Sequence, residues 1–225
     1  LIGNIDTLEF ILKTFLWSVP VAVYAGDKKY LPTISLYNHS KIVAALTATR
    51  AISDKARIIG GDISGIQSFI SRVARVREYD LSGVAKRLRG RSTFIDLFLE
   101  ATAFALIEYL NLNITHIIYV GGGNFFIVAP ATEEIKSKLE GFEVGVQKYL
   151  IEKFNGEICL VLDYIETSLE DLTTKSGEKL RELLESKTRV VESGFIEETE
   201  GKIGSFFNEY NAFVELLLKV KREFI

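Results

Sequence analysis

The sequence predicts an α+β fold: a ferredoxin-like βαββαβ domain, with an antiparallel four-stranded sheet and two helices on one face. Three observations carry this. Short runs rich in β-branched and aromatic residues occur at 58–63, 114–120, 125–129 and 158–165. Helical apolar spacing fills the stretch between the first and second runs, and again between the third and fourth. Only three glycines and an asparagine separate the second and third runs, which makes that pair a tight hairpin.

The elements follow in chain order. Residues 1–17 gather Leu8, Ile11, Leu12, Phe15 and Leu16 on one helical face, and Pro20 closes the helix. Pro32 and the charged patch at 27–29 mark a loop. Residues 35–52 form a second helix whose alanines allow close packing. After the strand at 58–63, residues 67–76 suit a short helix and 77–90 read as a mobile basic loop. Ser92 or Thr93 then caps a long helix through Leu110, apolar around most of its circumference and so buried on more than one side. Beyond the hairpin, Thr132 caps a helix with the stripe Ile135, Leu139, Phe142, Val146, Tyr149 and Leu150, and Gly156 stops it. From Leu169 on, 178–187 and 203–224 are amphipathic helices rich in lysine and glutamate, read as structural or as a contact surface. The expected division is a helical segment at 1–54, the ferredoxin-like domain at 55–168 and a helical extension at 169–225.

The 225 residues, 48% hydrophobic and 25% charged, describe a globular chain with a real core. A net charge of −3 says little, but its distribution says more. Seven basic residues lie between Arg72 and Arg91 against Glu78 and Asp80, while 133–200 is predominantly acidic. A basic strip on an acidic body fits a phosphate-bearing partner; a solvated loop beside a helix start is the alternative. Cys159, the one cysteine, excludes an intrachain disulfide and a cysteine-based metal site, and its apolar strand makes it a core thiol. No run approaches ~20 apolar residues, and the start lacks the pattern of a signal peptide, so a cytoplasmic location is expected. A chain that opens at Leu1 and contains no methionine is not expected to begin at a native amino terminus.

Two places suggest chemistry. The hairpin's three glycines exceed what a turn needs and leave backbone bare for close approach by a ligand, unless the hairpin is simply loosely built. Asp62-Ile63-Ser64-Gly65-Ile66-Gln67 ends the first strand in a small polar corner. Such corners present N–H groups and a carboxylate to a phosphate or metal; a plain strand-to-helix turn capped by Ser64 is the other reading.

Together these motifs are more specific. Gly61 to Gln67, Phe69-Ile70, Leu88 to Ser92 and Gly121 to Asn124, in this order, resemble the large subunit of type III CRISPR effector complexes. That is the multidomain CRISPR polymerase family, whose two palm domains are related to nucleotide cyclases and polymerases. Residues 35–45 resemble the segment with which the family leaves its nuclease domain, and the resemblance spans roughly 34–165. Palm-type cyclases hold divalent metal beside a nucleotide's phosphates with two carboxylates, one ending the first strand and one at the hairpin. Asp62 occupies the first place, but Gly123-Asn124-Phe125 offers no carboxylate at the second. Gly60-Gly61-Asp62 imitates the start of a GGDD turn yet falls inside a strand. The resemblance therefore implies the first, degenerate palm, inactive alone, with no catalytic residue and no resident metal of its own.

In that family a second palm with an intact GGDD hairpin faces the first. ATP binds between them and is joined into cyclic oligoadenylates once target RNA is bound, and the family also cleaves single-stranded DNA. By this resemblance Asp62, Ser64, Gly65, Gln67, Gly121, Gly122, Gly123 and Asn124 line the nucleotide cleft, with ATP and Mg or Mn serving the complete protein. Lys86, Arg87, Arg89 and Arg91 would contact phosphate of nucleotide or RNA, or else serve the helix entry structurally. The implied partners are the second palm, other type III effector subunits, and guide and target RNA through the complex. No His-Asp dipeptide occurs, and two histidines cannot assemble a two-metal nuclease centre, so His39 is read as packed or surface and His116 as structural. The competing expectation is a non-catalytic ferredoxin-like module binding RNA or protein through its sheet. Tyr119, Phe125 and Phe126 are its candidate aromatics, although the adjacent phenylalanines point to opposite faces and one must be core. The missing hairpin carboxylate disfavours a free-standing cyclase.

Overall fold

The computed structural model describes residues 4–21, 34–75 and 81–172. Helix α1 (Ile5–Leu16) is capped by Asn4, and α2 (Leu36–Arg50) by Ser35, whose hydroxyl accepts from the Asn38 N–H. Strand β1 (Lys55–Ser64) leads through Gly65 into α3 (Ile66–Arg75). Helix α4 (Leu81–Tyr109) then runs 29 residues. A single 3₁₀ turn (Ile114–His116) precedes β2 (Ile117–Gly121), and β3 (Asn124–Pro130) completes the hairpin. Helix α5 (Glu133–Phe154) and β4 (Cys159–Ser168) follow.

The sheet order is β2-β3-β1-β4, with every neighbouring pair antiparallel. This is the ferredoxin-like arrangement expected from the order of elements, with β1 and β3 central. Alternation divides the sheet into two faces. One carries Ile59, Ile63, Phe125, Ile127 and Leu160, all buried against α4 and α5. The α5 stripe behaves as its spacing requires: Ile135, Leu139, Phe142, Val146 and Leu150 are buried, and Tyr149 packs against them. Thr132 caps α5 by accepting from the Ile135 N–H, and Asn155 in the left-handed region ends it before Gly156.

Gly61 belongs to this face. A Cβ there would lie 2.1 Å from the Phe125 ring, so the glycine is the seat of a core aromatic. Arg57 shares the face and is fully buried. Its guanidinium donates to the Thr132 carbonyl (2.9 Å) and to the Glu166 carboxylate, and lies 4.6 Å over the Tyr164 ring. One cation thus ties the start of β1, the end of β4 and the entry to α5. The Glu166 carboxyl is held below its usual pKa, chiefly by the Arg57 hydrogen bond.

The outer edge of β4 is occupied by side chains of α5. Glu143 accepts the Leu162 N–H (2.9 Å), and Gln147 donates to the Leu160 carbonyl. On the sheet's other face, α2 covers one end, where Ala56 and Val128 pack with Leu46, Ile118 and Leu169. Beside them His116 is buried and donates from Nδ1 to the Val128 carbonyl (2.6 Å), as the structural role expected of it requires. No helix among the described residues is long and apolar enough to cross a membrane.

Two boundaries and the burial of one residue differ from expectation. The basic stretch read as a loop is helical from Leu81, and Ser92 and Thr93 lie inside α4 instead of capping it. Val84, Leu88, Arg91 and Ile95 are spaced along one side of the helix. Arg91 donates to the Phe69 carbonyl and stacks on the Phe69 ring (4.6 Å), fastening this half of α4 to α3. The second strand starts at Ile117, because the Asn113 side chain accepts from the Thr115 N–H and turns 114–116 into a 3₁₀ helix. Cys159 is partly buried beside Ser64, not sealed in the core. The helices expected at 178–187 and 203–224 lie outside the described residues.

Candidate functional site

The sheet face opposite α4 and α5 carries, away from α2, two rows set by register, in which Tyr119 is exposed, Gly60 and Val161 are buried and the rest are half-buried. One row is Tyr119, Phe126, Gly60 and Asp163; the next is Gly121, Asn124, Asp62 and Val161. Ser64 and Cys159 form a further pair beyond Asp62. Strand β1 ends here because Gly65, at φ 86°, turns the chain into α3. A Cβ at Gly65 would meet the Glu157 carbonyl oxygen at 2.3 Å.

The hairpin turn is Gly122-Gly123, with φ of 61° and 89°. Consecutive positive φ values are what a two-residue β-hairpin turn asks for, and glycine supplies them without steric cost. The turn is anchored to β1, since Ile63 N–H donates to the Gly123 carbonyl (3.0 Å). Ile66 packs so close that a Cβ at Gly123 would lie 2.8 Å from its Cδ1. At Gly122 a Cβ would have nothing nearer than the Tyr119 hydroxyl at 3.9 Å, so the tip stands open.

The structure therefore brings Asp62, Ser64 and Gly121 to Asn124 together at one end of one face, with Gly65 just behind. Gln67 does not join the rows; it is exposed on the first turn of α3, and the neighbouring Ile66 touches the hairpin instead. Asp62 and Ser64 share their surroundings with the Cys159 thiol. Burial raises that thiol's pKa, the Ser64 hydrogen bond opposes the shift, and the nearby Asp62 and Glu143 charges add to it. The four basic residues separate. Lys86, Arg87 and Arg89 are exposed on α4, in the helix layer, whereas Arg91 is committed to Phe69.

Asp163 was not foreseen. It lies on the same face as Asp62 on the adjacent strand, one row along, a diagonal of roughly 7–8 Å. The available signal was an acidic residue inside the apolar run 158–165. Among the described residues no group of three or more His, Cys, Asp or Glu is gathered for a metal. A divalent cation here would have to complete its shell with a ligand's own oxygens, which suits Mg²⁺ on a nucleotide. Of the candidate aromatics, Phe125 is fully buried while Tyr119 (51% exposed) and the half-buried Phe126 share the opposite face, their centroids 6.3 Å apart.

Residues 55–209 match the family model described as Csm1 subunit domain B. This chain belongs to the Csm1 family. Cas10/Csm1 of Streptococcus thermophilus, named a CRISPR system single-strand-specific deoxyribonuclease of subtype III-A, is 27% identical over 214 residues, covering 84% of this chain and 27% of that protein. The Enterococcus italicus protein of the same name is 28% identical over 191 residues, 72% of this chain and 24% of its own length. The chain thus spans about a quarter of these Csm1 relatives. Among solved structures, a Csm1-Csm4 cassette in complex with AMPPNP superposes with a TM-score of 0.71 at 24% identity, over 94% of this chain and 29% of that one. The apo Csm1-Csm4 cassette gives 0.70 at 23%, over 95% and 29%. The likeness to these structures is one of fold.

Proposed function

We propose that this chain supplies the first, degenerate palm of a Csm1-type large subunit in a type III CRISPR effector complex, forming one wall of an ATP-binding cleft for cyclic oligoadenylate synthesis. The observation that carries the reading is the convergence of Asp62, Ser64 and the Gly121-to-Asn124 turn, with its Gly122 tip exposed, at one end of one sheet face. Structural neighbours whose Csm1-Csm4 cassettes hold one ATP, AMPPNP or cA4 support it. In this role the exposed Gly122 presents its backbone N–H to phosphate at the tip, Gly121, Gly123 and Asn124 shape the turn, and Asp62 lies where it can share a nucleotide-bound Mg²⁺ or Mn²⁺. Ser64 and Gly65 line the floor, and Gln67 stands at the rim. The cation supplies charge neutralisation at the phosphates. With asparagine in place of a hairpin carboxylate, this half does not carry out phosphoryl transfer by itself.

The expected partners are a second palm, Csm4-like and other type III subunits, and guide and target RNA through the complex, in the cytoplasm. Residues 1–54 would be the tail of a nuclease-like domain and 169–225 a helical extension. A second reading, a nucleic-acid-binding module, is favoured by Lys86, Arg87 and Arg89, three exposed cations on one helix.

Calorimetry with MgATP on the wild type and on the Gly122→Val and Asp62→Ala variants tests the cleft. Millimolar or tighter binding is expected. It should be abolished by Gly122→Val, where a branched side chain is forced into positive φ at the open tip, and weakened by Asp62→Ala. A folded chain that binds no ATP, alone or with a second palm added in trans, would sink the proposal.

A further inference from the structure

We propose that residues 203–224 of this chain, which lie outside the described residues, dock along an exposed apolar stripe of α1 and tie that helix to the C-terminal stretch. The inference is independent of the nucleotide reading. Helix α1 is held from one side. Glu9 accepts from the Tyr37 hydroxyl and from Lys41 Nζ (3.5 Å) on α2, and Leu12 and Leu16 are half-buried on that side. None of the residues of α1 is buried. Leu8, Ile11 and Phe15, at spacings of three and four, form a second stripe beside the first and are 42%, 43% and 71% exposed. A helix apolar on two sides is suited to cover on both, and an exposed stripe of this kind marks a contact surface.

The chain itself supplies an occupant of matching period. From Ile203 to Phe224, apolar and aromatic residues recur at alternating spacings of three and four, through Phe206, Tyr210, Phe213, Leu217 and Val220. Three heptads of this alternation are the signature of a helix–helix seam, and Leu8, Ile11 and Phe15 present the same spacing. As a helix the segment would be about 33 Å long, enough to run the full length of α1 at about 18 Å. The route is short. Beyond β4, Leu169 and Leu172 pack with Ala56, Val128, Leu46 and Ile118, beneath α2. Helix α1 leans on α2 and on the 3₁₀ turn that leads into β2. The chain therefore leaves the sheet on the side where α1 lies, and the 30 residues 173–202 separate Leu172 from the segment. Tethering gives an effective concentration on the order of a millimolar, which favours the chain's own segment over a second copy.

The test uses the 225-residue chain with benzoylphenylalanine in place of Phe15, whose exposed ring can be replaced without touching the core. Irradiation of a dilute sample should give a monomeric product whose cross-link maps by mass spectrometry to 203–224. Hydrogen exchange in the peptide 5–16 should be about tenfold slower in the full chain than in one ending at residue 202. Leu217→Asp, on the seam, should remove that protection as truncation does, whereas Leu218→Asp, one residue off it, should leave it. Equal exchange in the full and truncated chains, no cross-link to 203–224, or equal effects of the two aspartates overturns the proposal. A cross-linked dimer also overturns it and assigns the stripe to a second copy.

Discussion

Adjacent residues with the same chemistry do different work here, and the strand period decides which. Gly60 and Gly61 read alike in sequence, yet Gly60 lies on the face opposite α4 and α5, between Phe126 and Asp163, while Gly61 makes room for Phe125. The prediction is sharp. Gly61→Ala places a methyl group inside the Phe125 ring and should lower stability by about 2–3 kcal/mol in urea unfolding. The same change made with Phe125→Leu should be largely rescued, a coupling that a double-mutant cycle would read directly. That one of Phe125 and Phe126 had to be core was legible from adjacency alone. Which one was not, because the choice depends on the hairpin's register with β1. The hairpin glycines were legible as a turn, but their separate reasons, φ at Gly122 and Gly123 and the Tyr119 hydroxyl at Gly121, needed coordinates.

At the scale of elements, α4 holds the clearest departure. Glycine and clustered positive charge argued for a loop, but the stretch is helix because one side of it packs on α3 through Arg91 and the Phe69 ring. Lysine, arginine, leucine and alanine are strong helix formers, and once one face is buried the cations simply occupy the wet face. This division predicts two phenotypes. Reversing Lys86, Arg87 and Arg89 together to glutamate should weaken binding of a single-stranded oligonucleotide. It should also flatten the log K against log salt slope by about two, at roughly 0.7 per phosphate contact. Arg91→Ala should instead loosen α3 from α4, lowering the thermal midpoint without changing that slope. An unchanged slope in the triple variant, measured by fluorescence anisotropy across salt, would mean that these three cations are no more than a solvated face.

For the whole molecule, the alternation of strand and helix signals was enough to give the ferredoxin-like order, because each element had its own period and a recognisable stop. What sequence could not show was how α2 folds over the second face and closes one end of it, since that packing depends on the few side chains around Ala56 and Val128. His116 belongs to that closure and gives it a pH signature. Burial lowers the imidazole pKa below its ordinary 6.5, the Val128 carbonyl bond opposing only in part. The unfolded chain therefore takes up the proton first as pH falls. His116's contribution is complete above about pH 6.5 and is lost below it. The urea midpoint should drop between pH 7.5 and 5.5, and His116→Gln should flatten that drop; the depressed carboxyls of Glu134 and Glu166 act only below their usual range near 4.5. Finally, Glu143 and Gln147 occupy hydrogen-bonding positions that a neighbouring strand would need at Leu162 and Leu160. With β4 stoppered, the described sheet can lengthen only beyond β2. A second copy joining there would present its own β2 and leave two blocked rims outermost, so edge pairing ends at two molecules and cannot propagate into a fibre.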